Sequence, residues 1–260
     1  MNLSGHFVEA EPGRIFVTAW QNQTESQTAI LCVPPLLEEL NSSRRQMAVL
    51  AQQLVNEGLD TFVMDYYGTG DSEGQDHEVS FEYCVQSLSA TVEWIVARGY
   101  QSIVLWGVRI GALLIAELLK QKPAATILGV LFWQPLESGE QWISALQRLQ
   151  KMSGKTANDN QYFEVAGYQL SETLLEPVRQ FDWASYQSCL AEYPLEIVQI
   201  SPVARPTERT SQVFSTAQNI HQVEGTPFWS IAETPVNPAL TADTLPRLQK
   251  MAKCGIGENA

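Results

Sequence analysis

The chain has 260 residues, 45% hydrophobic and 17% charged, which is enough apolar material for one large buried core in a single unit. Its formal net charge of -13 argues against nucleic acid or an anionic membrane surface as a partner, because both repel an acidic protein within a Debye length. The four cysteines form no CxxC pair and the first residues lack a basic segment followed by an apolar run, so we expect reduced thiols and a cytoplasmic location.

Strand and helix signals alternate through the first half of the chain, which predicts a mostly parallel, doubly wound sheet covered on both faces. The elements predicted in order are an opening hairpin at 7–20, a strand at 28–33, a helix at 44–57, a strand at 59–65, a helix at 81–98 and strands at 102–106 and 126–133. Ser42 and Ser43 precede the first helix and are predicted to cap it. The most apolar stretch, residues 103–119, contains Arg109 and Glu117, so no membrane span is predicted.

The pattern changes after Pro135. Helical signals at 141–152 and 170–190 are separated by the polar sequence SGKTANDN, and strands return only at 195–200 and 220–223, before a last helix at 238–251. Helices inserted between strands of one sheet are typical of a lid. We therefore predict a core formed by residues 1–135 and 193–260, with a helical lid insertion at 136–192.

The segment from Ser102 to Lys120, SIVLWGVRIGALLIAELLK, joins an apolar strand to an apolar helix through the turn GVRIG. A GxXxG turn between a strand and a helix is the position at which α/β-hydrolases carry their nucleophile, usually serine. Here the central residue is Arg109. A guanidinium stays protonated at neutral pH and has no nucleophilic lone pair, so Arg109 cannot form an acyl-enzyme.

Further motifs extend the resemblance along the chain. DYYGTGDS at 65–72 resembles the DxxGxGxS turn that follows a central strand in α/β-hydrolases. The chain also resembles the second of two α/β-hydrolase relatives encoded beside exosortase A, in the PEP-CTERM protein-sorting and exopolysaccharide system. The segments that carry this resemblance are PPLLEELNSSRR (34–45), WGVRIGALL (106–114), FWQPLESGEQW (132–142), EVAGYQLS (164–171) and EGTPFW (224–229). The resemblance implies the α/β-hydrolase fold and a role connected with surface polysaccharide or protein sorting.

The other two positions of a Ser-His-Asp triad are also altered. A catalytic histidine would follow the last strand, where the sequence has Gly225, Thr226 and Pro227. His221 lies six residues before Pro227, about 20 Å away along an extended strand. The acid would fall near Ala204 or Arg205, and the nearest carboxylate is Glu208. The sequence therefore predicts a degenerate triad.

Two interpretations of Arg109 remain open at this stage. Glu38 or Glu39, from the loop after the preceding strand, could neutralise the cation in a relic pocket. Alternatively, Arg109 and the free amides of the helix could bind an anionic group of a ligand, with assistance from Arg44 or Arg45.

The favoured function is the binding of a small or anionic ligand, or of a protein partner, without conventional catalysis. The residues predicted to form the site are Pro35, Leu36, Glu38, Glu39, Arg44, Val108, Arg109, Ile110 and Trp229. The alternative is an ester or thioester hydrolase in which Glu38 or Glu39 activates water and Arg109 stabilises an oxyanion. No cofactor and no metal ion is predicted, because the three histidines are far apart in the sequence.

Overall fold

A computed structural model describes residues 1–22, 26–152, 162–202, 208–230 and 236–254 of the chain, without the side chains of 208, 209 and 254. The strands described are β1 (Asn2–Val8), β2 (Ile15–Gln21), β3 (Thr28–Val33), β4 (Asp60–Met64), β5 (Ser102–Val108), β6 (Thr126–Trp133), β7 (Phe163–Val165), β8 (Tyr168–Leu170), β9 (Leu195–Ser201) and β10 (Asn219–Glu224). The α-helices described are α1 (Leu37–Asn56), α2 (Phe81–Ala97), α3 (Gly111–Lys120), α4 (Gly139–Met152), α5 (Glu172–Gln180), α6 (Gln187–Leu190), α7 (Glu208–Val213) and α8 (Pro238–Cys254).

Eight of these strands form one sheet in the order β1-β2-β4-β3-β5-β6-β9-β10. β2 pairs antiparallel with β1 and with β4, and the other neighbours in the sheet are parallel. All six residues of β3 are buried, because helices cover both faces of the sheet. The α/β-hydrolase fold predicted from the sequence is thereby confirmed.

Two apolar cores lie on opposite faces of the sheet. One face packs against α1 and α8, through side chains such as Leu50 and Leu248. The other packs against α2 and α3, through side chains such as Leu88 and Leu113. Parallel strands end at the same edge of the sheet, so the turns after β3, β5 and β10 all lie at that edge.

The first helix is longer than the sequence analysis predicts. It begins at Leu37, two turns before the expected start, so Ser42 and Ser43 are buried inside the helix and do not cap it. Pro34 and Pro35 end β3, and Glu38 and Glu39 then stand in the first helical turn, where negative charge stabilises the positive end of the helix dipole. The prediction of a cap at Ser42 and Ser43 was therefore wrong.

The segment after β6 contains α4, a short hairpin formed by β7 and β8, α5 and α6. α4 and α5 approach closely at Gly139, where an added Cβ would collide with the backbone carbonyl of Val178. The hairpin ends at Leu170, and α5 and α6 then occupy most of the stretch predicted to be helical at 170–190. That residues 136–192 act as a lid stays a prediction. Within the described ranges, no helix combines the length and the hydrophobicity needed to cross a bilayer.

Candidate functional site

The turn between β5 and α3 keeps the tight geometry of a nucleophile elbow around an arginine. Arg109 has a φ of 56°, in the left-handed region, where a residue with a side chain is strained by about 1–2 kcal/mol. Its backbone N–H donates to the carbonyl of Trp133 at 2.9 Å. A Cβ on Gly111 would collide with the carbonyl of Val33, and one on Gly107 would lie 2.9 Å from the Cα of Ala112. The two glycines are therefore required by close packing of the elbow against neighbouring backbone.

The guanidinium of Arg109 is held on three sides. Its Nε and Nη2 donate to the two carboxylate oxygens of Glu39 at 3.2 and 3.0 Å, and its Nη1 donates to the carbonyl of Gln134 at 3.0 Å. The guanidinium carbon lies 4.8 Å from the ring centre of Trp229, a cation–π distance. The side chains of Arg109 and Glu39 are only 15% and 20% exposed. Of the two carboxylates considered from the sequence, Glu39 is the partner of Arg109.

A cavity of about 550 Å³ opens beside this ion pair. Its walls come from the start of α1, one face of α4, the β7–β8 hairpin and the 3-10 turn at Phe228–Ser230. Arg109 also borders a second cavity of about 300 Å³, and the two cavities share Arg109, Trp142 and Ala145. The structure therefore combines the two situations that the sequence left as alternatives, a neutralised arginine and an open cavity.

Two helices begin at the cavity without side-chain caps. Leu36 and Ile110 are the N-cap residues of α1 and α3. Among the described residues, neither of their backbone N–H groups donates a hydrogen bond. In α/β-hydrolases the N–H after the nucleophile and an N–H from the loop after the first parallel strand stabilise the oxyanion. The positions of Ile110 and Leu36 in the chain correspond to these two. Leu36 lines the cavity of about 550 Å³, whereas Ile110 is fully buried and borders neither cavity beside Arg109.

The rim of the larger cavity carries a polar contact between α1 and the hairpin. Asn41 donates to the hydroxyl of Tyr168 at 2.8 Å and to a carboxylate oxygen of Glu38 at 3.3 Å. Burial, followed by the nearby charge of Glu38, raises the pKa of Tyr168 above its ordinary value. Glu38 itself is exposed, so its carboxylate is available to water and to a ligand.

The structure gathers some of the predicted site residues and leaves others out. Leu36, Glu38, Glu39, Arg109 and Trp229 surround one cavity.

Pro35, Val108 and Ile110 are buried and border neither of the two cavities that adjoin Arg109, so these three were wrongly predicted to line the site. Arg44 turns away and pairs with Asp65 at 2.9 Å, where burial raises the pKa of Asp65 and Arg44 opposes that shift.

The sequence analysis missed a set of lining residues in the segment after β6. They are Trp142, Leu146, Leu149, Met152, Val165 and Tyr168. The four on α4 recur at helical spacing, which was the available signal. The two in the hairpin gave none, because three-residue strands are too short to show an alternation.

The position expected for the triad histidine lies after β10. After β10, the N–H of Gly225 donates to the carbonyl of Ser201 at 3.0 Å, and Pro227 leads into the turn that carries Trp229. His221 lies within β10, with its Nε2 3.3 Å from Glu196, and borders neither cavity beside Arg109.

Two further predictions concern the position of the triad acid and the absence of a metal site. The positions expected for the acid, Ala204 and Arg205, and the side chain of Glu208 lie outside them. Within the described part of the chain, no group of three or more His, Cys, Asp or Glu residues could hold a metal ion.

Comparisons with known proteins agree with this geometry. The family model Hydrolase_4, described as serine aminopeptidase, S33, matches residues 36–195, which is more than half of the chain. A search of curated protein sequences found no match.

Similar solved structures include a putative hydrolase from Agrobacterium vitis S4 (14% identity, TM-score 0.67, covering 97% of this chain and 100% of that one). Est1E from Butyrivibrio proteoclasticus with bound ferulic acid has 12% identity and a TM-score of 0.67, with 95% and 98% of the chains covered. A proline iminopeptidase from Mycobacterium smegmatis has 12% identity and a TM-score of 0.67, with 97% and 100% covered. Such low identities establish the fold alone. The family match over more than half of the chain shows that the protein belongs to the serine aminopeptidase S33 family of α/β-hydrolases.

Proposed function

We propose that this chain is a ligand-binding member of its family that does not form an acyl-enzyme. The observation that carries the proposal is that an Arg109–Glu39 ion pair occupies the nucleophile position while a cavity of about 550 Å³ opens beside it. An emptied site would be expected to close over the arginine, because packed interiors leave few voids larger than a water molecule. The open cavity therefore supports a retained binding role.

The triad is degenerate in this proposal. Arg109 has no nucleophilic atom, and the ring of Pro227 has no basic nitrogen to accept a proton. Removing nucleophile and base from a serine hydrolase costs about six orders of magnitude in turnover, so binding would be the main activity that remains.

The ligand that fits is largely apolar with one polar end. Most of the cavity wall is aliphatic or aromatic, whereas its hydrogen-bond donors include Arg109 and the free N–H group of Leu36. These donors suit a carbonyl or carboxylate oxygen. Because Glu39 already balances the charge of Arg109, a neutral carbonyl would bind here without breaking the ion pair, and an anion would compete with Glu39 for the guanidinium.

The cellular context is proposed from the resemblance to the exosortase-associated relatives. PPLLEELNSSRR contains Leu36, Glu39 and Ser42, and EGTPFW contains Trp229, so two of the matching segments contribute directly to the cavity. The ligand or a protein partner would then belong to surface polysaccharide or protein sorting, with the chain acting in the cytoplasm.

A second candidate function is ester or thioester hydrolysis by activated water. It is favoured by Glu38, which is exposed at the cavity rim, and by Arg109 and the free N–H group of Leu36, which could stabilise an oxyanion. Glu39 is the poorer base in this scheme, because both of its carboxylate oxygens already accept hydrogen bonds from Arg109.

Fluorescence titration with 1-anilinonaphthalene-8-sulfonate tests the binding role, since this probe joins an apolar ring system to one anionic group. We expect Ala145→Phe, which adds a ring inside the cavity wall, to weaken binding by about tenfold or more, equivalent to about 1.4 kcal/mol. Ala242→Phe is the matched control, because Ala242 is an exposed alanine on α8 outside the two cavities that adjoin Arg109. Equal affinities in the two variants would contradict the proposal.

Hydrolysis is measured in parallel with p-nitrophenyl butyrate and a butyryl thioester. The binding role predicts no turnover above the uncatalysed rate. Turnover by the unaltered chain that disappears in Glu38→Gln would favour the hydrolase instead. Glu82→Gln is the control here, because Glu82 is exposed in the first turn of α2 and has no part in the cavity.

A further inference from the structure

We infer that the larger cavity accepts a single unbranched acyl chain of about twelve carbons, with its carbonyl end at Arg109 and its tail leaving along α4; the length is estimated from helix geometry. This inference rests on the proposed binding role and specifies the ligand class for the same site.

One face of α4 forms a largely apolar wall of the cavity, with Arg148 as its one charged member among the described residues. Trp142, Ala145, Leu146, Leu149 and Met152 recur at helical spacing and all line it. Trp142 and Ala145 also border the second cavity together with Arg109, which fixes this end of the wall beside the ion pair. The cavity is therefore elongated and runs from Arg109 toward the C-terminal end of α4.

The large apolar side chains of this wall become more exposed toward the C-terminal end of α4. Trp142 is 3% exposed and Leu146 is 8% exposed, whereas Leu149 is 48% and Met152 is 84% exposed. The last two are among the few large hydrophobic side chains exposed in the described part of the chain. A ligand tail that leaves the cavity here would cover them, and covering apolar surface is favourable.

A polar side chain lies among the cavity-lining residues of α1. Ser42 is 5% exposed and borders the cavity one turn after Glu38. With Arg109 and the free N–H group of Leu36, its hydroxyl offers donors on the side of the cavity opposite the largely apolar α4 wall. This polarity gradient matches an acyl group, which has one polar end and a uniform apolar tail.

The length of the chain follows from the helix. Ten residues separate Trp142 from Met152, which corresponds to roughly 15 Å at 1.5 Å per residue. An extended alkyl chain with carbon–carbon bonds of about 1.5 Å advances about 1.25 Å per carbon. The wall therefore matches about twelve carbons, and a longer tail would extend into water beyond Met152.

Isothermal titration calorimetry with hexanoate, decanoate, dodecanoate and hexadecanoate, and with the matching 1-monoacylglycerols, tests this inference below the critical micelle concentrations. We expect the affinity to rise by about fourfold per methylene. The rise should stop near dodecanoyl, because further methylenes find no wall. If the carboxylates bind more tightly, the ligand is a free acid held by Arg109. If the glycerol esters bind more tightly, it is a neutral acyl ester held by the backbone N–H group of Leu36.

Two exposed residues provide variants that should fold normally. Leu149→Ser combined with Met152→Ser should weaken dodecanoyl binding by about tenfold and leave hexanoyl binding unchanged, because only the longer tail reaches them. Val96→Ser is the matched control, since Val96 is 42% exposed on α2, away from the cavity.

Affinities independent of chain length, or an unchanged dodecanoyl affinity in the double variant, would overturn the acyl-chain inference. If the acyl compounds fail in this way but the anilinonaphthalene probe still binds, and Ala145→Phe still weakens its binding, the proposed binding role is retained. If no acyl compound and no probe binds, both proposals fail.

Discussion

Arg109 carries two energetic penalties at once. Its φ of 56° costs about 1–2 kcal/mol, and a cation at the first turn of α3 costs about 0.3–1 kcal/mol against the helix dipole. The two hydrogen bonds to Glu39 and the third to Gln134 compensate, since charged hydrogen bonds contribute about 1.5–3 kcal/mol each at most when shielded from water. The ion pair is thus what allows arginine to stand at the elbow.

The backbone penalty can be separated from the ion pair by comparing two variants. Arg109→Ala and Arg109→Gly both remove the side-chain contacts, but only glycine adopts a positive φ without strain. We expect Arg109→Gly to be more stable than Arg109→Ala by about 1 kcal/mol in urea unfolding. If Arg109→Ala is equally stable or more stable, the strained conformation at the elbow is refuted.

The structure also shows which of two neighbouring carboxylates, Glu38 or Glu39, pairs with Arg109. The sequence predicts that one of these carboxylates neutralises Arg109 but does not say which. Neighbouring residues on a helix point about 100° apart, so only one of them can face the guanidinium once α1 begins at Leu37. The start of the helix therefore decides that Glu39 forms the ion pair and Glu38 remains at the rim.

At the scale of elements, β9, β10 and α8 are joined by a charged cluster away from the candidate site. Arg247 of α8 bonds to Glu196 of β9 at 3.1 Å and to Asp243 at 2.7 Å. His221 of β10 lies 2.8 Å from Arg247 and 3.3 Å from Glu196. Burial, followed by the charge of Arg247, lowers the pKa of His221 below its usual value of 6.5, although Glu196 and Asp243 oppose the shift.

This lowered pKa predicts a loss of stability on the acid side. Below about pH 6.5 the unfolded chain binds a proton at His221 that the folded chain still refuses, so unfolding becomes easier as the pH falls toward the lowered pKa. His221→Gln removes this contribution. We expect its free energy of unfolding, measured in urea, to fall less between pH 8 and pH 5.5 than that of the unaltered chain.

His6 supplies an internal reference for that comparison. Burial and Arg98 lower its pKa in the same direction, and it is present in both proteins. An identical fall with pH in the two proteins would mean that His221 has an ordinary pKa in the folded chain. A difference in the free energy of unfolding that is the same at every pH would reflect only the hydrogen bonds that His221→Gln removes.

In the segment after β6, the periodicity of apolar residues in the sequence predicts a helix but not the direction in which its apolar face points. The apolar stripe of α4 is visible as helical spacing, and the helix was predicted at 141–152. Its direction toward the cavity depends on contact with α5 at Gly139 and on the β7–β8 hairpin. These contacts join residues that are distant in sequence, and no local pattern records them.

At the scale of the whole molecule, the candidate site is assembled from turns that follow three different strands. The turn after β3 supplies Leu36 and Glu39, the turn after β5 supplies Arg109, and the turn after β10 supplies Trp229. A serine placed at position 109 would therefore not supply a histidine or an acid, which would have to come from other turns.

Arg109→Ser tests this interdependence. We expect the variant to hydrolyse p-nitrophenyl butyrate no faster than Arg109→Ala, because Pro227 offers no base to accept the serine proton and loss of the base costs about six orders of magnitude. Thermal melting of both variants controls for folding. A rate in Arg109→Ser that exceeds the alanine variant by about tenfold would reveal a base elsewhere in the cavity.

The α/β-hydrolase fold, the elbow and the arginine at its centre could be predicted from the sequence alone. Alternating buried strands and amphipathic helices are local patterns, and the elbow is a contiguous motif, so each is readable along the chain. Only the tertiary structure decided which carboxylate neutralises Arg109, that a cavity remains open beside it, and that α4 lines that cavity. Those features depend on packing between distant segments, whose distances and angles are fixed only when all the elements are in contact.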